Sequence, residues 1–360
     1  MRLGVEAAVV DGVLVRGDVS VADGRVEALG LSGGGRGIAV PGFVDLHVHG
    51  FGGVDFAAAD AEAWRHAAAA LVAAGTTAVQ PTFVTAPEED LLASLRAVPL
   101  EDVGLRLLGC HLEGPFLSPG RLGMHPAAAR RDPDLALLER LLADGTVTEV
   151  TLAPELPGAL ELVDALVARG IAVSCGHSDA TATEAAAAFD RGACSVTHLF
   201  NAMRPFGHRD PGLAGAALAR DDVVCELILD GHHLAPEAAL VAWSAARGRI
   251  ALVTDAVEAA GVGDGRFRLG ATPIVVRDGV ARREDGTLAG SVLSPAQAVR
   301  NAVGLGIPLA EAVDAATRVP ARVLRRDDVG SIAPGRPADV VVLDDRLEVV
   351  RVLLGGGERL

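Results

Sequence analysis

Histidines and carboxylates recur at the ends of short apolar runs in this 360-residue chain. The residues with this placement are His47, His49, Glu113, His177, His198, His232, His233 and Asp255. Imidazole nitrogens and carboxylate oxygens together form a donor set that suits zinc or iron(II). One histidine at a strand end is more often structural than a ligand. Its recurrence on several runs favours a shared divalent metal site.

The runs that carry these residues alternate with segments of helical periodicity. Eight apolar runs extend from GFVDLHVHG (42–50) to IALVTDA (250–256), and segments such as ALELVDALVARG (159–170) separate them and stop at glycine. This alternation predicts a parallel sheet, and eight units favour a (β/α)8 TIM-like barrel, an α/β fold, over an open sheet. The C-terminal ends of barrel strands form the active face, so the polar residues are expected to meet there.

The two ends of the chain differ from its middle. Residues 1–40 contain short alternating strands with Asp-Gly turns, and residues 330–360 predict another strand pair. We expect these ends to form one small β-sandwich domain beside a barrel domain at 41–329. A β-like stretch near 266–291 predicts a hairpin insertion in the barrel.

Charge and composition exclude several classes of protein. The formal net charge of −15 argues against a nucleic-acid surface and against binding to an anionic membrane. No uninterrupted apolar run approaches the roughly 18 to 20 residues of a membrane span. The four cysteines show no CxxC pairing and lie in apolar runs, which predicts buried thiols. We therefore expect a soluble, cytoplasmic protein.

A set of motifs carries a family resemblance over nearly the whole chain. In order, the motifs are PGFVDLHVHGFGG, HLEGPF, GHSDA, THLFNAM, RDPGLAG, DGHH, LVTDA and GSIAPGRPADVVVLD. Together they resemble the amidohydrolase superfamily, and within it most closely the N-acetylglucosamine-6-phosphate deacetylase family. The resemblance implies metal-dependent hydrolysis of the acetamide of N-acetylglucosamine 6-phosphate, which yields glucosamine 6-phosphate and acetate.

The resemblance also implies a set of metal ligands. Glu113, His177 and His198 match the principal metal site of the family. His47 and His49 match the second metal position of the superfamily, which some members of this family lack. The expected cofactor is one or two divalent metal ions per subunit, with zinc favoured and iron(II) as the alternative.

Catalytic and substrate-binding roles follow from the same matches. Asp255 corresponds to the general base and acid that acts on a metal-activated water, and His125 corresponds to the residue that binds the acetyl carbonyl. For the phosphate, the resemblance implies Asn201 and Ala202 through their backbone N–H groups. It also implies Arg209 and His233, the second histidine of DGHH, in preference to His232.

Some alternatives stay open at this stage. The Arg209 position can reach the site of a neighbouring subunit in this family, so the resemblance implies a homodimer. Pro295 stands where the family usually has methionine near the acetyl group, which leaves the acyl preference open. The rival functions are deacetylation of the galactosamine epimer, hydrolysis of a cyclic amide, and non-catalytic sensing of a sugar phosphate.

Overall fold

Strands from the two ends of the chain meet in one sheet. The computed structural model describes all residues, 1–360. The first strands are β1 (Ala7–Val10), β2 (Val13–Arg16), β3 (Asp18–Ala22), β4 (Arg25–Leu31) and β5 (Ile38–Pro41). Strand β5 pairs in parallel with β1 and also binds a strand from residues 340–343.

The middle of the chain supplies the central strands. They are β6 (Phe43–Val48), β7 (Gly50–Phe51), β8 (Val54–Asp55), β9 (Thr76–Val84), β10 (Arg106–Leu107), β11 (Cys110–Glu113), β12 (Val147–Leu152), β13 (Ala172–Cys175), β14 (Ser195–Val196), β15 (Val224–Leu227) and β16 (Ile250–Leu252). Strands β6, β9 and β11 to β16 run parallel in the order β6-β9-β11-β12-β13-β14-β15-β16. The Asp255 N–H donates to the His47 carbonyl at 2.8 Å and links the last strand end to the first. The eight parallel strands confirm the predicted (β/α)8 barrel.

Helices connect the parallel strands and cover the barrel. They are α1 (Ala61–Ala73), α2 (Glu88–Ala97), α3 (Leu135–Leu141), α4 (Ala159–Ala168), α5 (Ala182–Asp190), α6 (Gly212–Leu218), α7 (Pro236–Ala245), α8 (Pro295–Gly304), α9 (Leu309–Ala315) and α10 (Arg318–Val323). Local sequence fixes several starts, since Asp60 caps α1, and Thr181 with Glu184 forms a capping box on α5. None of the helices is both long and apolar enough to span a bilayer.

A three-stranded antiparallel sheet follows the eighth barrel strand. It contains β17 (Gly265–Leu269), β18 (Thr272–Arg277) and β19 (Val280–Arg282). Leu269, Ile274 and Val276 form a small apolar cluster with Met124, the neighbour of His125. The insertion therefore packs against the loop that carries a predicted site residue.

The last strands are β20 (Val340–Leu343), β21 (Val349–Leu354) and β22 (Gly357–Glu358). They complete a six-stranded sheet in the order β2-β1-β5-β20-β21-β22. An apolar cluster separate from the barrel core includes Val5, Val19, Val26 and Val340. The division of the chain into a barrel domain and a small sandwich domain stays a prediction.

Candidate metal centre and substrate pocket

Three predicted ligands meet at the C-terminal end of the barrel. Glu113 is the last residue of β11, and His177 and His198 each follow the end of a barrel strand by two residues. Glu113 Oε1 lies 3.0 Å from His177 Nε2 and 3.1 Å from His198 Nε2. The two Nε2 atoms are 3.0 Å apart, and all three side chains are buried. The structure thus brings the predicted principal metal site together.

Hydrogen bonds to the far side of His177 show which nitrogen carries its proton. Nδ1 of His177 donates to the Arg121 carbonyl at 2.8 Å, so Nε2 presents a lone pair towards Glu113. Nδ1 of His198 has no partner in the chain. The lone pair of His177 Nε2 and the Glu113 carboxylate oxygen repel each other, and a divalent cation would relieve this repulsion. The donor set therefore fits the expected metal.

His47 and His49 form a second cluster with Asp255. Nδ1 of His49 donates to the Thr82 carbonyl at 3.0 Å, which leaves Nε2 as a lone-pair donor. This Nε2 lies 3.1 Å from Asp255 Oδ1 and 3.3 Å from His47 Nε2. The Glu113 carboxylate lies 3.6 Å from the Nε2 atoms of both His47 and His49. The two groups of donors are therefore adjacent, with Glu113 between them.

The charges of this cluster are balanced poorly by the protein alone. Burial lowers the pKa of His47, but Glu113 and Asp255 raise it, and the result lies well above its ordinary value. Burial raises the pKa of Glu113, but His47, His125 and His177 hold it well below its usual range. The pKa of Asp255 is also lowered, by His47 and His49 against the effect of burial. The carboxylates are thus ionised at neutral pH and demand positive charge, which a divalent ion can supply in place of a proton.

His125 has the opposite tautomer to the ligand histidines. The Thr85 N–H donates to His125 Nδ1 at 3.1 Å, so Nε2 carries the hydrogen. This Nε2 lies 3.2 Å from Glu113 Oε2, close enough for Glu113, His125 and His177 to resemble a ligand group by distance alone. A protonated nitrogen cannot bind a metal. We therefore assign His198 to the ligand set and His125 to hydrogen-bond donation.

Burial keeps this donor neutral. It lowers the pKa of His125 to about 4, with a further lowering by His177. A neutral N–H donor at this position can polarise a carbonyl oxygen and stabilise the charge that develops on it.

The backbone is strained where the site residues leave their strands. His177, His198 and Asp255 have φ values of 48°, 32° and 50°, in the left-handed region. Each such conformation costs a non-glycine residue roughly 1–2 kcal/mol. A Cβ on Gly290 would lie 2.5 Å from the Asp255 carbonyl oxygen, so only glycine allows this close approach. The fold thus holds the polar side chains in directions that a regular strand would not give them.

A cavity of about 510 Å³ opens above the metal donors. Its walls include Glu113, His125, Asp255 and His233. Nδ1 of His233 lies 2.7 Å from Asp230 Oδ2, and the His233 side chain is 5% exposed. Burial lowers the pKa of His233, but the bond to Asp230 raises it above its ordinary value. A histidine whose pKa is raised in this way suits, in its protonated form, an anionic group of a ligand.

The phosphate-binding residues predicted from sequence are only partly assembled. Asn201 and Ala202 both line the cavity, but the Asn201 N–H already donates to the His198 carbonyl at 2.9 Å. The Ala202 N–H makes no bond within the chain. Arg209 is exposed and lies outside the cavity walls, as does His232. One chain therefore brings Ala202 and His233 to the cavity and leaves Arg209 away from it.

Several residues of the site gave no signal in the sequence. Thr85, which fixes the His125 tautomer, lies on the loop after another strand, 40 positions away. Glu226 Oε2 lies 3.3 Å from His47 Nδ1 inside the barrel, although it looked like an interior residue of an apolar run. Arg282 lines the cavity from the insertion. The basic stretch ARRED at the end of the insertion was the one available hint to Arg282.

Comparisons with known proteins agree with one another. The model of the Amidohydrolase family matches residues 38–358. N-acetylglucosamine-6-phosphate deacetylase of Mus musculus is 39% identical in an alignment of 343 positions that covers 90% of this chain and 83% of that protein. N-acetylgalactosamine-6-phosphate deacetylase of Escherichia coli O157:H7 is 40% identical in an alignment of 324 positions that covers 88% of this chain and 86% of that protein.

A solved structure extends the likeness to three dimensions. A mutant N-acetyl-D-glucosamine-6-phosphate deacetylase from Mycobacterium smegmatis, in complex with N-acetyl-D-glucosamine-6-phosphate, superposes with a TM-score of 0.94 at 38% identity. The match covers 100% of this chain and 99% of that one.

Proposed function

The chain belongs to the amidohydrolase family, and within it to the N-acetylglucosamine-6-phosphate deacetylases; on this premise we propose that it hydrolyses N-acetylglucosamine 6-phosphate to glucosamine 6-phosphate and acetate. The observation that carries the proposal is the arrangement of a proton acceptor and a proton donor around one cavity. Asp255 is an ionised carboxylate, and His125 is a neutral N–H donor. An amide hydrolase needs both.

The chain's own residues account for the proton movements. Nε2–H of His125 donates to the acetyl oxygen and stabilises the charge that builds up as water adds to the carbonyl carbon. The Asp255 carboxylate takes the proton from that water and passes it to the amide nitrogen as the C–N bond breaks. The products are a free amine and acetate, and Asp255 returns to its ionised form.

Glu113, His177 and His198 would hold the principal metal, and His47 with His49 would hold a second one. When bound, the metal supplies Lewis acidity that polarises the carbonyl and makes water more acidic. Zinc is the ion we propose, because imidazole and carboxylate ligands at a buried site suit it, with iron(II) as the alternative.

For the phosphorylated sugar, His233 and the Ala202 N–H provide the anion contacts within the chain. The second candidate substrate is N-acetylgalactosamine 6-phosphate, since two bacterial relatives that are 40% identical to this chain carry that name. The two sugars differ only in the configuration of one hydroxyl group, and none of the predicted contacts is made to that hydroxyl.

We also propose a homodimer. Arg209 is exposed and does not line the cavity of its own chain, which supports a role in the site of a neighbouring subunit. A cytoplasmic location is a further proposal, supported by four cysteines that are all free.

The test combines metal analysis of the purified protein with acetate release from both N-acetylhexosamine 6-phosphates and their unphosphorylated forms. We expect metal-dependent release, with the glucosamine 6-phosphate derivative as the best substrate. Preference for the galactosamine epimer would select the second candidate. Ligand binding without acetate release would contradict deacetylase activity and indicate a sensor.

A further inference from the structure

Arg282 places a guanidinium at the rim of the catalytic cavity. It is the last residue of β19, and its backbone bridges to Leu288 on the returning chain. Its Nη1 donates to the Gly286 carbonyl at 2.8 Å, which fastens the tip of the insertion. No carboxylate lies within ion-pair distance of Arg282, so its charge has no partner in the chain.

Arg282 faces the same space as the anion-binding residues. It lines the cavity together with His233, Asn201 and Ala202. Its charge also acts on His233: burial lowers the pKa of that imidazole, Asp230 raises it, and Arg282 opposes the rise. The Arg282 guanidinium and a protonated His233 in the same cavity repel each other until an anion binds between them. This repulsion indicates a place for an anionic ligand group.

The other arginines near the cavity are not equivalent. Arg121 lines the cavity, but its Nε and Nη2 both donate to Asp179 Oδ1, at 2.8 and 2.7 Å. Arg209 is not among the cavity residues. Arg282 is thus the cavity arginine with an uncommitted charge, in a chain whose net charge is −15.

We propose that Arg282 binds the 6-phosphate of the substrate from within the same subunit and determines the preference for phosphorylated over neutral amino sugars. The proposal rests on the proposed function and adds to it a residue that the family resemblance does not assign. Arg266, Arg277 and Arg283 line a depression beside Arg282 on the insertion.

Arg282→Ala tests the proposal, and Arg283→Ala is the matched control. Arg283 is paired with Asp285 and lines the outer depression but not the catalytic cavity. The readouts are the kcat/KM ratio for N-acetylglucosamine 6-phosphate over N-acetylglucosamine, and the inhibition constant of inorganic phosphate. A charge-assisted contact predicts a roughly ten- to hundredfold fall in the ratio, with phosphate inhibition weakened to the same extent. Arg282→Lys should recover part of both, because it keeps the charge but loses the planar fork.

Two results would overturn the role of Arg282. One is an unchanged ratio with unchanged phosphate inhibition. The other is an equal loss of kcat/KM for the phosphorylated and the unphosphorylated sugar, which would mean that the residue only holds the insertion in place. Calorimetric titration of the metal-loaded protein with inorganic phosphate does not require turnover. It therefore tests phosphate binding by Arg282 even if the wild-type protein releases no acetate. That absence of release would refute the proposed function and not the role of Arg282.

Discussion

The Nε2 atoms of His177 and His198 lie 3.0 Å apart, and both lie close to Glu113 Oε1. A divalent cation bound to both nitrogens and to the carboxylate would stabilise this arrangement. The contact therefore supports the proposed metal site, and it indicates what should happen when a neighbouring ligand is lost.

Replacement of Glu113 should remove metal from both positions. Glu113→Gln takes away the negative charge that lies between His177 and His198 on one side and His47 and His49 on the other. We expect metal content, measured by inductively coupled plasma mass spectrometry after dialysis, to fall close to zero. His49→Asn is the matched control and should lower occupancy of the second position alone. Wild-type metal content in Glu113→Gln would contradict the assignment.

Asp255→Asn should separate metal binding from catalysis. The variant keeps the size of the side chain but cannot accept a proton, so kcat should fall by roughly 10²–10⁴. The principal ligands are untouched, so at least one metal per subunit should stay bound. Acetate release at saturating substrate measures the loss, and a wild-type rate would show that another group is the base.

The tautomer of His125 can be tested through metal content. Because Thr85 makes Nε2 a donor, His125→Ala should lower kcat/KM by about 10²–10³, as expected for the loss of one donor to the carbonyl oxygen, without loss of metal. Thr85→Val, which keeps the backbone donor and removes only the hydroxyl, should have a smaller effect. If His125→Ala loses metal in step with activity, His125 is a ligand and the tautomer argument is wrong.

The pair His233–Asp230 should set the pH dependence of substrate binding. The pKa of His233 is raised in the fold by Asp230, against the effect of burial, so its cationic form persists above the ordinary value and is lost as the pH rises through the raised pKa. KM for the phosphorylated substrate should rise over that range. In Asp230→Asn the rise should begin at lower pH. Profiles of KM from about pH 5.5 to 8.5 compare the two, and superimposable profiles would contradict the role of the pair.

The proposed homodimer predicts complementation between two inactive proteins. Arg209→Ala lacks the arginine offered to its neighbour, and Asp255→Asn lacks the base. In a mixed dimer, the Arg209→Ala subunit has an intact base and receives Arg209 from its partner. Random mixing should then restore roughly a quarter of the wild-type activity. Equal activity before and after mixing would mean that the sites are complete within one subunit.

The positions of the metal donors could be predicted because barrel topology brings strand ends to one face. The backbone conformation at the C-terminal ends of these strands was less predictable. The run at 194–203 forms only a two-residue strand, β14, and the run at 250–256 leaves regular strand geometry before Asp255. His198 and Asp255 in these runs adopt left-handed backbone, which apolar periodicity does not encode.

The details of hydrogen bonding could not be predicted at all. The tautomer of His125 depends on one N–H of Thr85, and the pairing of His47 depends on Glu226, 179 positions away. Arg282 reaches the cavity because the chain returns through Gly286. Each of these is a contact between distant segments that individual sequence patterns do not specify.

The pairing of β5 with β20 has a consequence for the synthesis of the protein. Ile38–Pro41 leaves the ribosome long before its antiparallel partner Val340–Leu343 is synthesised. Until then, one edge of β5 carries open backbone hydrogen-bonding groups beside apolar side chains, the kind of edge that recruits other chains. The sheet can therefore close only after residues 340–343 have been translated, and a nascent chain stalled before residue 340 would present an aggregation-prone strand.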